Sequence, residues 1–109
     1  MLITELDKKQ DPLLKPFKLK HLYLKNRIIS TSHEPAYSEN GLPKERYLLY
    51  HREKAKGGIA MTMIGGSTLV SPDSPPVFGN LYAGNDNIIP YFQKISDSVH
   101  SFGSAIMCQ

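Results

Sequence analysis

Three short stretches of this chain carry the residues best suited to chemistry. His33-Glu34 sets an imidazole beside a carboxylate, directly after Thr31-Ser32. Ile64-Gly65-Gly66-Ser67 places two residues without side chains in succession, and Gln109 presents a primary amide. An imidazole next to a carboxylate can hold or move a proton near neutral pH; equally, it can be a solvated loop start whose histidine bonds to backbone. Paired glycines let a flat ligand lie against bare backbone, or they simply make a turn. An amide carries two donors and an acceptor, so it can match a heterocycle edge that alternates carbonyl and N–H, although a lone strand-end Gln is also an ordinary surface residue. Cys108 reads as a core residue, since it alternates with Gln109 across a strand and has no neighbouring base in sequence. His21, His51 and His100 are scattered, and no Cys/His spacing matches a zinc site. No Gly-Lys-Ser/Thr or GxGxxG pattern is present, which excludes a phosphate loop of either kind. Sequence assigns no catalytic acid, base or nucleophile.

The elements that must position these residues follow from patterning. Residues 1–12 are polar and read as a loosely held lead-in, with 13–109 as the structured unit. Phe17, Leu19, Leu22 and Leu24 alternate around Lys20-His21, which predicts a small hairpin. Residues 26–32 are β-rich and predict a first core strand, running into His33-Glu34-Pro35, where the proline favours extended backbone before it. Residues 44–56 follow a helical period, with Tyr47, Leu48, His51 and Ala55 on one face. Gly57-Gly58 stops that helix, one of the two taking a left-handed cap. The apolar run 59–64 predicts a strand buried on both faces, as in a parallel sheet. A connection rich in Pro, Gly and Asn spans about residues 68–87, a length that is uncommon unless functional. Ile88, Phe92, Ile95, Val99 and Phe102 then predict a second helix, with Pro90 in its first turn and Gly103 as its stop. Residues 104–108 begin a third strand.

Strands alternating with helices imply right-handed crossovers and a parallel sheet. Such a sheet carries its site at the carboxyl ends of the strands, so the three stretches above should gather at one end. Three strands and two helices do not close it, and an apolar last strand would be an exposed edge. The expectation is that more chain follows Gln109.

Composition narrows the classes. At 40% hydrophobic, with six Tyr and four Phe, the 109 residues can build one modest core. The net charge of +3 comes from 13 basic and 10 acidic residues. Much of the excess lies in lysines that alternate with apolar residues before position 28, as on the wet face of a strand, and no nucleic-acid partner is expected. One cysteine allows no internal disulfide, which fits a reducing cytoplasm. No run nears the roughly 20 apolar residues of a membrane helix, and the N-terminus lacks the layout of a secretory signal.

Leu14-Lys15-Pro16-Phe17-Lys18-Leu19 followed by Leu24-Lys25-Asn26-Arg27-Ile28-Ile29 resembles the opening of the Old Yellow Enzyme-like NADH:flavin oxidoreductases. Arg46-Tyr47 and Tyr50-His51, through Lys54-Ala55-Lys56-Gly57-Gly58, are similar to that family's first barrel helix and its glycine stop. Val99-His100 through Gly103 to Gln109 is similar to its second helix and third strand. The resemblance runs from about Pro12 onward, each motif weak singly and their order specific together.

The resemblance implies an α/β fold, a partial TIM (β/α)8 barrel made of the hairpin, three strands and two helices. It implies FMN on the carboxyl face, with NAD(P)H as a possible reductant. Thr31, Ser32 and His33 match the segment that lies against the isoalloxazine, and Ile64, Gly65 and Gly66 match the segment whose backbone approaches it. Gln109 matches the glutamine that bonds the pyrimidine edge. Ser32-His33-Glu34 departs from the Pro-Met or Pro-Leu of many enoate reductases. With Asp73-Ser74-Pro75 it is closer to the branch acting on methylated amines and betaines or on dienoyl-CoA esters. Glu34 is then a candidate contact for a cationic substrate.

The phosphate loops, the usual substrate-binding pair and, in some relatives, an iron–sulfur extension all fall after this point in the family. The chain alone is therefore expected to bind FMN poorly and to catalyse nothing. The alternative is a small self-contained α/β binding or assembly module whose third strand pairs with another chain. Sedimentation separates the two: a sharply unfolding monomer or dimer marks the module, a loosely folded species the barrel segment.

Overall fold

The structure, a computed structural model, describes residues 4–109, so the first three residues of the polar lead-in lie outside it. The rest of the lead-in is not shapeless. It holds a helix, α1 (Glu5–Gln10), started by a capping box in which Thr4 Oγ1 accepts the Asp7 N–H and Asp7 Oδ2 accepts the Thr4 N–H. No residue of α1 is buried, so local capping forms it and no packing holds it.

The hairpin forms as patterned. Strands β1 (Phe17–Leu19) and β2 (Leu22–Leu24) pair antiparallel with Phe17 opposite Leu24. Leu24 buries against Ala60 and Met61, which seats the hairpin under the amino ends of the sheet. Asn26 fastens that seat: its Nδ2 donates to the Gly58 carbonyl at 2.7 Å and its Oδ1 accepts the Ile28 N–H at 3.0 Å. Lys25 Nζ adds a bond to the Phe102 carbonyl at 2.7 Å.

A three-stranded parallel sheet follows, in the order β3 (Ile29–Ser30), β4 (Met61–Ile64), β5 (Ala105–Cys108). Ile29 pairs with Met61, and Met61 through Ile64 pair with Ala105 through Cys108. Strand β3 is shorter than the expected 26–32. Asn26 diverts the Ile28 N–H to its own side chain, and beyond Ser30 the chain turns toward Gly66, with Glu34 Oε1 accepting the Ala36 N–H at 3.0 Å.

Helices α2 (Glu45–Lys56) and α3 (Ile89–His100) lie on one face of the sheet. They bury Tyr47, His51 and Ala55 from one helix and Ile95 and Val99 from the other. Ile64, Leu81 and Ile88 complete this core. Gly58, at φ +102°, is the left-handed residue after α2. Phe102 falls past the end of α3 and is 37% exposed, so the apolar stripe closes at Val99 instead.

The long connection is pinned at its stem. Leu69 donates to the Leu81 carbonyl at 2.8 Å, and Ala83 donates back to the Leu69 carbonyl at 2.7 Å. Buried Asn80 accepts the N–H groups of Val77 and Phe78 and donates to the Ser67 carbonyl. Between these ties the tip at residues 70–79 leaves Val70, Val77 and Phe78 exposed.

Candidate strand-end site

The carboxyl ends of β3, β4 and β5 converge, as a parallel sheet requires. Ser32 Oγ donates to Gln109 Oε1, joining the segment after β3 to the residue after β5. Gln109 N donates to the Ile64 carbonyl at 3.0 Å, and the Gln109 carbonyl accepts the Thr68 N–H at 2.9 Å. The residue after β5 is thus fixed to both sides of the Gly65-Gly66 turn.

The two glycines are needed by the protein itself. A Cβ on Gly65, at φ +99°, would sit 2.6 Å from the Gln109 carbonyl oxygen. A Cβ on Gly66, at φ +144°, would sit 2.8 Å from both N and Cβ of Glu34. Side chains here would push apart the three segments that meet at the strand ends, so these glycines make the expected turn, and what approaches them closely is the protein's own Gln109 and Glu34.

Glu34 is placed deliberately. Its Oε1 is held by the Ala36 N–H, while its Oε2 is buried with no hydrogen-bond partner. Among the described residues the one ion pair is Lys8 with Glu5, on α1, and none of their cations lies within ion-pair distance of Glu34. The α2 cations that reach the 30–37 segment are engaged otherwise. Lys54 Nζ donates to Ser30 Oγ at 2.8 Å and lies over the Tyr50 ring, and Arg46 lies 3.8 Å from the centre of the Tyr37 ring. A buried carboxylate oxygen without a partner is costly unless a ligand or water completes it.

Ser32, Glu34, Gly65, Gly66 and Gln109 are therefore brought together. Thr31 and His33 are exposed on the same segment. The Ile64 side chain is buried in the core, so that residue offers the site its backbone only. Cys108, at the carboxyl end of β5, is exposed here, with Sγ 3.4 Å from Thr68 Oγ1.

One participant escaped the sequence. Tyr47, fully buried on α2, reaches the strand ends, and its hydroxyl accepts the Gly65 N–H at 3.2 Å. Burial, with a smaller contribution from the Glu34 charge, pushes its phenol up to about 12, so it stays protonated. A tyrosine on an apolar helix face looks like filling, and nothing in the sequence marks the hydroxyl. One turn on, His51 Nδ1 meets Thr62 Oγ1 at 2.8 Å, and its buried Nε2 has no partner. Burial lowers this imidazole to about 4, so it is neutral at physiological pH. Among the described residues no three His, Cys, Asp or Glu side chains gather as metal ligands, and no helix is long and apolar enough to cross a membrane.

Comparison with known proteins places the chain in a family. The model of a family described as NADH:flavin oxidoreductase / NADH oxidase matches residues 12–109. The chain is 60% identical over 99 residues to a probable N-methylproline demethylase of Rhizobium meliloti, covering 91% of this chain and 15% of the relative. It is 52% identical, over the same shares, to a multifunctional alkene reductase/demethylase of Caballeronia cordobensis. In structure it is similar to the old yellow enzyme from Trypanosoma cruzi, with a TM-score of 0.76 at 25% identity, over 90% of this chain and 26% of that one. The chain thus spans about 15% of the length of these curated relatives.

Proposed function

The chain belongs to the NADH:flavin oxidoreductase / NADH oxidase family, its alternating strands and helices being the opening of a TIM barrel, and on that premise we propose that its strand ends seat the ring of FMN in an oxidoreductase. Residues 13–109 would be the first part of the flavin domain. The groups at hand fit the polar edge of such a ring. With its Oε1 held by Ser32, Gln109 keeps its Nε2 hydrogens to donate to a ring carbonyl. Gly65 and Gly66 let the Gln109 and Glu34 segments close onto the end of β4, and the ring would lie against the surface these segments form together. Thr31 and His33, exposed beside Ser32, extend the same surface.

Bound FMN would supply two-electron redox chemistry, with NAD(P)H or an amine substrate as the electron source. The chain's own residues orient the ring and select the substrate. Glu34, with one buried carboxylate oxygen unpaired, suits a positively charged group. An N-methylated amine or betaine is the substrate class this favours, in keeping with the name of the 60% identical relative. Enoyl substrates are the second reading, favoured by the alkene reductase among the relatives.

The Ser32–Gln109 bond across the Gly65-Gly66 turn is the observation that carries the flavin reading. Its test joins this chain to the remaining barrel of the Rhizobium meliloti relative. The joined protein should hold FMN, and Gln109→Ala should weaken that binding about tenfold, the scale of one charge-free hydrogen-bonded contact. A folded joined protein without FMN, or unchanged affinity in the variant, overturns the assignment.

A further inference from the structure

A buried polar column runs between α2 and β4, and the flavin reading does not use it. Tyr47 and His51 stand one helical turn apart, 0% and 1% exposed, with ring centres 5.4 Å apart. Each turns one polar atom onto β4 or its end: His51 Nδ1 to Thr62 Oγ1, and the Tyr47 hydroxyl to the Gly65 N–H. Buried polar atoms are kept where they have a partner to satisfy.

The Gly65 peptide needs such a partner. The ladder with β5 ends at Ile64 and Cys108, and the next bond runs from Gln109 N to the Ile64 carbonyl. The buried Gly65 N–H therefore has no strand to pair with, and Tyr47 is its acceptor. The same turn backs onto the Gln109 carbonyl through Gly65 and onto Glu34 through Gly66. Whatever holds the Gly65 amide also sets where Gln109 and Glu34 stand.

We infer that Tyr47 is a positioning residue: its hydroxyl holds the Gly65 amide and thereby fixes the Gly65-Gly66 backbone, Gln109 and Glu34 in the arrangement a flat cofactor meets. The purpose rests on the flavin reading; the hydrogen bond and its consequence for the turn do not. Tyr47 touches neither cofactor nor substrate in this role, and it acts from behind the strand ends.

Tyr47→Phe tests it, because the ring is kept and only the acceptor is lost. Amide hydrogen exchange is read for the 109-residue chain and for the same chain joined to the relative's barrel. Exchange at Gly65 should rise at least about tenfold, with Thr68 and Gln109 following, while Val99 and Ile95 in the core stay as they were. In the joined protein, FMN affinity should fall about tenfold, and it is the confinement of faster exchange to Gly65, Thr68 and Gln109 that a mere loss of packing would not reproduce. Should Tyr47→Phe not fold, 3-fluorotyrosine at position 47 keeps the shape and weakens the acceptor, and the Gly65 amide proton shift should move with it. Unchanged Gly65 exchange, a uniform rise across all amides, or a Gly65 amide already as open as the 70–79 tip before substitution overturns the inference. A joined protein that lacks FMN altogether sinks the flavin reading alone, since the exchange measurement still decides the role of Tyr47.

Discussion

Glu34 and His51 each hold one buried oxygen or nitrogen that the described residues leave without a partner, and they should behave oppositely. The backbone and Cβ of Glu34 pack against Gly66 in the strand-end cluster, which puts this residue, unlike His51, beside the candidate site. Glu34→Gln in the joined protein should weaken a quaternary amine at least about tenfold more than a neutral enone, because only the cation loses a counter-charge. Equal losses for both ligands would remove Glu34 from substrate recognition.

His51 sits between α2 and β4 against Thr62 and serves the fold. Its folded pKa of about 4 lies below the ordinary 6.5, so the unfolded chain takes up the proton first as pH falls. The contribution of the neutral imidazole is complete above about pH 6.5 and declines as pH drops from there toward 4. Between pH 7 and pH 5 the loss should be on the order of 2 kcal/mol by denaturant unfolding, and His51→Asn should flatten that slope. An unaltered slope in the variant would place the acid sensitivity elsewhere. At this scale the convergence of Gln109, Glu34 and the glycines is legible, because a parallel sheet gathers its carboxyl ends on one side. Tyr47 is not, since patterning reads its ring and passes over its hydroxyl.

Elements show where pattern suffices and where pairing decides. The helix over residues 44–56 and the one after Ile88 follow their apolar stripes closely, as long periodic segments do. Helix α1 follows a different signal, the Thr4–Asp7 capping box, which a reading guided by hydrophobic period overlooks. Strand β3 has the composition of a longer strand, and its length is set by what its neighbours accept. The turn after β4 is where element and site meet. Gly58 and Gly66 both have positive φ, but a Cβ on Gly58 meets nothing within 4 Å, whereas one on Gly66 meets Glu34. Gly58→Ala therefore measures backbone strain alone, and Gly66→Ala adds displacement of the Glu34 segment. By thermal unfolding, Gly66→Ala should be the more destabilising by about 1–3 kcal/mol. Equal losses would mean that Glu34 moves aside freely.

For the whole molecule, the parallel α/β order was legible in the sequence, because an unbroken apolar strand between helices has few other homes. The sheet carries both helices on one face. The other face is covered at the amino end by the hairpin, while Ile29 and Met107 remain 44% and 48% exposed. A barrel interior has this character, apolar side chains that wait for strands from around the ring. The core is thus divided: one part, around Tyr47, Ile95 and Val99, is complete within the chain, and the other is open.

The tied stem of the 68–87 connection bears on how such a protein diversifies. Leu69, Asn80, Leu81 and Ala83 close the base of the loop, so residues 70–79 are bracketed off from the strand ends they adjoin. The Gly79 end of that bracket still bonds Ser38 on the segment that carries Glu34, so the freedom to change lies toward the 70–76 side, where Val70 is exposed. Side chains can change at that exposed tip with less consequence for the fold than at the glycines of the strand ends, each of which meets a neighbour closely.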